Sequence, residues 1–171
     1  MTSLSKDDTQ RIRLREVSPD DTEALWDILE PTFRRGDTYT IDPMISKQEA
    51  IAYWTSSDKS TFLARLHEKN VGTYYIRPNQ SGRGNHVCNC GFITHPKARG
   101  LGVARQMLEH ALKKAKATGY HAMQFNFVVS TNTRAVNIWK TYGFDIVGTL
   151  PEAFDHPALG VVDAYVMYKT L

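Results

Sequence analysis

The stretch His95-Pro96-Lys97-Ala98-Arg99-Gly100-Leu101-Gly102-Val103-Ala104 runs on into Arg105-Gln106-Met107-Leu108, and the rest of the chain is arranged around it. A strand-like apolar run, Cys90-Gly91-Phe92-Ile93-Thr94, leads into it. Gly100 and Gly102 sit at the turn. From there Leu101, Ala104, Leu108, Ala111, Leu112 and Ala115 recur at three- and four-residue spacings, one apolar stripe along a helix that ends at Gly119. Strand, glycine turn and long helix together place unpaired backbone N–H groups at the positive end of a helix dipole. Such an end binds phosphate, and glycine lets the backbone approach without a Cβ in the way. The spacing is neither G-x-x-x-x-G-K-[ST] nor G-x-G-x-x-G with an acid about 20 residues on, so nucleoside triphosphate and dinucleotide loops are set aside. It reads Arg99-x-x-Gly102-x-Ala104, with Pro96 three residues before Arg99.

At 171 residues the chain is long enough for a proper core, and a loose polar tail over 1–9 followed by a single domain over 10–171 is expected. The net charge of +3 suits an anionic ligand and is too small to argue for nucleic acid. The first residues are polar and no apolar run reaches membrane-spanning length, so the expectation is a soluble, cytoplasmic protein with no membrane partner. Cys88 and Cys90 fall two apart on a strand, so both side chains point to one face. That arrangement suits two buried apolar residues better than a disulfide or a four-ligand metal site, and no metal is expected.

In order, 11–17 alternates as a half-exposed strand, and Ser18-Pro19-Asp20-Asp21 opens a helix whose apolar face is Leu25, Trp26, Ile28, Leu29 and Phe33. The connector 34–43 carries Arg34, Arg35, Asp37, Tyr39 and Asp42, and reads either as a solvated loop or as a substrate wall. Ser46-Lys47-Gln48-Glu49 is a capping box that opens a second helix through Trp54. Strands follow at 61–66, 71–76 and 86–94, with a turn at Glu68-Lys69-Asn70. After the long helix come a strand at 122–129, a short helix capped by Ser130-Thr131-Asn132-Thr133, a strand at 143–147, a loop from Leu150 to Gly160, and a last strand at 161–168. The order β α α β β β α β α β β, with one right-handed crossover joining 90–94 to 122–129, predicts an α/β fold. Its mixed sheet has about seven strands with helices on both faces.

A second motif, Asn132-Thr133-Arg134-Ala135-Val136-Asn137-Ile138-Trp139-Lys140-Thr141-Tyr142-Gly143-Phe144, comes after the glycine turn at a fixed distance. Together the two motifs resemble the GNAT (GCN5-related) N-acetyltransferase family, and the likeness covers roughly residues 61–171. Val147-Gly148-Thr149-Leu150-Pro151 and Tyr165-Val166-Met167 are similar to a large subgroup of it. The resemblance implies the GNAT fold, acetyl-CoA as cofactor, and a gap between the strands flanking the long helix. Carried over, Phe92, Ile93 and Thr94 offer backbone groups to the pantetheine and thioester. Arg99, Gly100, Leu101, Gly102, Val103, Ala104 and Arg105 wrap the diphosphate, and Asn132 and Trp139 meet the cofactor from the other side. A backbone N–H aimed at the thioester oxygen stabilises the oxyanion, and holding amine and thioester in line supplies further rate.

Two departures from the family pattern stand out. The aromatic seven residues after Asn132 is usually a tyrosine acid; here it is Trp139, whose indole donates a hydrogen bond but is not an acid. The thiolate then leaves unassisted, since a thiol pKa is about 8.5. The glutamate common on the strand after the long helix is missing. Asn126 stands there, and Asn89 on the facing strand. These amides either pin the strands or line the acyl-transfer site and orient the amine. As a pair they are similar to those of fungal GNAT enzymes that acetylate proline-like imino acids. His86 and His95 read as edge histidines or as a relay base. The loop from Arg34 to Asp42, with Arg34, Arg35 and Tyr39, and the loop from Arg77 to Gly84 read as the acceptor walls, where Arg34 or Arg35 would hold a substrate carboxylate. The expected activity is N-acetylation of a small-molecule amine. A protein or peptide acetyltransferase and a silent acyl-CoA sensor are the rivals, and a homodimer is the family expectation.

Overall fold

The computed structural model describes residues 11–171, so the tail expected over 1–9 lies outside the described residues. Seven strands form one sheet in the order β1-β2-β3-β4-β5-β7-β6. They are β1 (Arg13–Glu16), β2 (Ser60–Leu66), β3 (Lys69–Pro78), β4 (Val87–Thr94), β5 (Ala122–Val129), β6 (Asp145–His156) and β7 (Gly160–Thr170). The helices are α1 (Thr22–Arg35), α2 (Lys47–Trp54), α3 (Val103–Thr118) and α4 (Thr133–Thr141). Only β4 and β5 run parallel, joined through α3. The element order and the mixed sheet expected from sequence are those observed.

Each face of the sheet has its own core. On one side Leu25, Ile28, Leu29 and Phe33 of α1 meet Ala50 and Trp54 of α2 over Leu63, Tyr75 and Ile93. On the other, Val103, Met107, Leu108 and Ala111 of α3 and Val136 and Trp139 of α4 cover Tyr74, Cys88, Cys90 and Phe125. Period two along β4 sorts its side chains between them: Cys88 and Cys90 go to the α3 side and Ile93 to the α1 side. Both cysteines are free and buried, as their spacing suggests.

Local chemistry explains the boundaries. Ser46 caps α2 through Glu49 N, and the Glu49 carboxylate answers on Ser46 N at 3.0 Å. Gly36 ends α1 with φ +62°, and its N–H bonds the Phe33 carbonyl. The turn between β2 and β3 is shorter than expected. Lys69 and Asn70 already pair with Leu66 and Arg65, which leaves His67 and Glu68 as the turn, with His67 at φ +52°.

The expected loop from Leu150 to Gly160 is the main correction to the fold. β6 continues through Pro151 to His156, and β7 begins at Gly160. Pro151 is tolerated because β6 is the edge strand and the register shifts between Leu150 and Phe154, so no ladder bond needs its missing N–H.

The front core contains a polar chain. Trp54 Nε1 donates to Thr73 Oγ1 at 3.0 Å, and Thr73 Oγ1 donates to the Phe62 carbonyl at 2.8 Å. Both residues are fully buried. Thr73→Val keeps the shape and strands the indole N–H. The expected cost is about 1–3 kcal/mol, read as a lower midpoint in thermal or urea unfolding; an unchanged midpoint would show that the indole finds another partner.

Candidate active site

The site begins where β4 and β5 separate. They pair at Val87↔Ala122 and Cys88↔Met123, and no further. At the next position the Asn89 side chain takes over, with Nδ2 donating to the Gln124 carbonyl at 2.9 Å. Beyond it the strands diverge. Alternation tells which backbone groups face the gap. The Val87 carbonyl accepts from Asn79 N and His95 N donates to the Val71 carbonyl, so odd-numbered residues of β4 face β3. The N–H and C=O groups of Cys90, Phe92 and Thr94 therefore face β5 and the gap, whereas those of Ile93, expected from sequence to serve the pantetheine, turn to Thr73 on β3.

A cleft of about 1020 Å³ occupies this gap and continues to the N-terminal end of α3. Gly100 and Gly102 have φ +84° and +74°, conformations that strain a residue with a Cβ. A Cβ at either would meet nothing within 4 Å, so the turn presents bare backbone to open space. Arg99, Arg105 and Arg134 line the cleft there. Bare N–H groups at a helix start, with arginines on the same cleft, are a fit for a diphosphate. The far end is polar and aromatic: Arg35, Asp37, Tyr39, Tyr53, Tyr75, Arg77, Asn126 and His156.

Most residues named from sequence lie on this cleft: Phe92, Ile93, Thr94, Arg99, Gly100, Gly102, Val103, Ala104, Arg105, Asn132, Trp139, Asn89, Asn126, Arg35 and Tyr39. Two do not. Leu101 is half exposed away from it. Arg34 holds the connector after α1, bonding the carbonyls of Pro43 and Ile45 and lying 5.3 Å from the Trp26 ring centre. Its neighbour Arg35 faces the cleft instead, tied to Asp37 through Nε at 3.4 Å.

The two amides are engaged differently from each other. Asn89 bridges the strands. Asn126 is exposed on the cleft side, accepting from Gln124 Nε2 at 2.9 Å and donating to Asn79 Oδ1 at 2.6 Å. Trp139 packs rather than reaches: its ring centre lies 5.0 Å from Phe125 and 5.2 Å from Phe92. Asn132 caps α4 by accepting from Ala135 N. Tyr142 turns away to donate to Glu109 Oε1 at 2.6 Å, and that carboxylate pushes its phenol pKa up.

His95 and His156 each brace a turn. His95 Nδ1 accepts from Lys97 N at 3.2 Å, and its Nε2 lies 3.6 Å from Asp27. His156 Nδ1 accepts from Ala158 N and Leu159 N, which in the neutral ring puts the proton on Nε2; the residue lines the cleft. His86 and His121 stand 5.9 Å apart at the end of the sheet away from the gap.

The sequence reading missed Tyr53, Tyr75 and Arg134; Arg77, at the head of the loop expected as an acceptor wall, does line the cleft. Tyr75 sits on a strand, where alternation gives the face but not the contents of the neighbouring cleft. Tyr75 lies against Gly91, where an added Cβ would come within 2.6 Å of its ring carbon Cε1. Trp54 blocks the ring's retreat at 4.9 Å between centres. Burial pushes the Tyr39 and Tyr75 phenols far above their ordinary range, so both stay protonated.

The model of the Acetyltransferase (GNAT) family matches residues 22–144. N-acetyltransferase aca1 of Schizosaccharomyces pombe is 30% identical over 150 residues, covering 77% of this chain and 71% of that protein. A GCN5-related N-acetyltransferase from Kribbella flavida superposes with a TM-score of 0.88 at 35% identity, covering 94% of this chain and 98% of that one. yncA, a putative acetyltransferase from Salmonella typhimurium solved with its cofactor acetyl-CoA, shares the fold with a TM-score of 0.81 at 17% identity over 94% of each chain. Among the described residues no helix is long and apolar enough to cross a membrane.

Gly91→Ala tests the packing of the acceptor wall. Displacing the Tyr75 ring is expected to cost about 1–3 kcal/mol in denaturant unfolding and to change the near-ultraviolet tyrosine signal. Wild-type stability and spectrum would show that the ring moves freely.

Proposed function

The chain belongs to the GNAT acetyltransferase family, and on that premise we propose that it transfers the acetyl group of acetyl-CoA to the amine of a small molecule. The observation that carries the reading is the continuity of one cleft from the Gly100–Gly102 turn to the gap between β4 and β5. Bound there, acetyl-CoA supplies a thioester whose C–S bond breaks as the amine nitrogen bonds the acyl carbon, the proton going to water and the sulfur leaving as thiolate.

The chain's own residues do the positioning. N–H groups at the turn, with Arg99, Arg105 and Arg134, hold the diphosphate. The gap-facing edge of Phe92 and Thr94 pairs with the amide-bearing arm, and a β4 N–H there donates to the acyl oxygen. Asn89 ties the two strands at the base of the gap, which fixes where they begin to part. Asn126, open on the acceptor side, orients the amine. No acid is needed for the thiolate, which fits a tryptophan at position 139. Among the described residues Asp37 is the one carboxylate lining the cleft, and it stands on the acceptor wall to accept the proton through water.

The chemistry of the acceptor end supports a small molecule that carries an acid: Tyr39, Tyr53 and Tyr75 line the cleft together with Arg35 and Arg77. Arg35 and Arg77 are each held by Nε, to Asp37 and Asp58, with their forked Nη groups left to grip an acid on the substrate. An amine that carries a carboxylate matches this chemistry.

Thiol release from acetyl-CoA over a panel of small amines, amino acids and peptides is the test. Turnover with an amine bearing a carboxylate, and none with peptides, is expected; peptide-only turnover or coenzyme binding without turnover would refute the reading. On the responding substrate, Asn126→Ala is expected to lower kcat at least tenfold while acetyl-CoA affinity holds. Unaltered turnover would remove Asn126 from the site.

A further inference from the structure

We propose that Tyr39 aligns the attacking amine: its hydroxyl fixes the Phe92 peptide at the mouth of the gap and offers its oxygen to an amine N–H. This rests on the acetyl-transfer reading. The Tyr39 hydroxyl donates to the Phe92 carbonyl at 3.0 Å, across 53 residues of sequence. Phe92 is a gap-facing residue of β4, so this carbonyl and the N–H of the same residue look toward the place where acyl transfer would occur. A connector from the opposite layer thus reaches the one strand edge on which the chemistry depends.

A tyrosine hydroxyl has one proton and two lone pairs. The proton is given to Phe92. The lone pairs remain on the oxygen, and Tyr39 is one of the residues that line the cleft. An amine attacks through its lone pair, so its N–H bonds must point elsewhere, and a fixed acceptor on one of them sets the angle of attack. Tyr39 is fixed. Its ring makes edge contacts with Phe33 at 5.9 Å and Trp54 at 6.0 Å between centres, and Trp54 is itself tied to Thr73. Burial keeps the phenol protonated, so it serves as a hydroxyl throughout and does not take the proton as a base. Tyr39 is in this sense a positioning residue.

The bond has a second effect. Holding the Phe92 carbonyl fixes the peptide plane shared with the Ile93 amide, and steadies the edge that meets the acyl group. An active-site donor gains from being set in advance, because nothing must reorganise during the reaction.

Tyr39→Phe removes one oxygen and leaves the ring packing. With the amine found in the panel, kcat is expected to fall at least tenfold, KM for acetyl-CoA to stay within about twofold, and the thermal midpoint to hold within about 2 °C. Independently of activity, the backbone amide resonance of Ile93 in the free protein should shift, since the adjoining Phe92 carbonyl has lost its donor. Wild-type kcat in the variant overturns the proposal, and so does an unshifted Ile93 resonance. A wild type without turnover defeats the acetyl-transfer reading itself, and this one with it; an active wild type matched by the variant defeats only the role of Tyr39. Should Tyr39→Phe lose its midpoint, Tyr39→Trp separates packing from chemistry: restored stability with kcat still low supports the proposal, and restored stability with restored kcat refutes it.

Discussion

The parting of β4 from β5 is the constraint on which everything else rests. Two adjacent parallel strands ordinarily satisfy each other's backbone along their length, and unpaired buried N–H and C=O groups are costly. Here the ladder stops after two positions, and the Asn89 side chain makes one last bond to the Gln124 carbonyl before the strands diverge. Past that bond a row of backbone donors and acceptors lines the cleft, held open by the sheet instead of closed by it. A ligand able to pair with that edge has half its recognition site made before it arrives.

Both arms of the opening are braced from behind. β4 keeps its antiparallel ladder to β3 from Pro78↔Cys88 to Gly72↔Thr94, and β5 keeps β7 at its back. The core under α3 and α4 packs against both arms from one face. Phe92 stacks on Tyr74, Phe125 stacks on Phe144, and the Trp139 ring packs against both Phe92 and Phe125, which also meet each other at 6.1 Å between centres. A phenol at position 139 would offer an acid; an indole there offers packing area under both arms. The cost of exposing a strand edge is met by packing elsewhere, so the opening is rigid where a loop would fluctuate.

Much of this was legible in the residues. The glycine turn and the capping box of α2 are local features whose chemistry acts within a few residues, and both appear as read; the α3 stripe holds at Leu108, Ala111 and Ala115, but Leu101 stays exposed ahead of the helix and Val103 and Met107 are buried instead. The single crossover is also as read, because handedness rules leave little choice once the order of elements is known. The errors lie where an outcome depends on distant partners. Pro151 looked like a loop residue because the edge position of β6 is set by the whole sheet. Arg34 and Arg35 are adjacent in sequence and similar in chemistry, yet one props the connector and the other faces the cleft; helix phase and the path of 36–46 decide between them. Asn126 reads as a buried amide amid apolar neighbours and proves to be exposed, since no helix covers the front of β5. Tyr75 carries no mark along the chain, because what matters is that Gly91 on the adjoining strand leaves room for the ring.

The central claim is that this opening and the Gly100–Gly102 turn together receive a coenzyme diphosphate and its pantetheine arm. Titration calorimetry of coenzyme A into the folded protein tests it most directly. One-to-one binding is expected, weakening with added salt as the arginines around the diphosphate are screened. An absence of binding heat at several temperatures, in protein that still melts cooperatively, would contradict it.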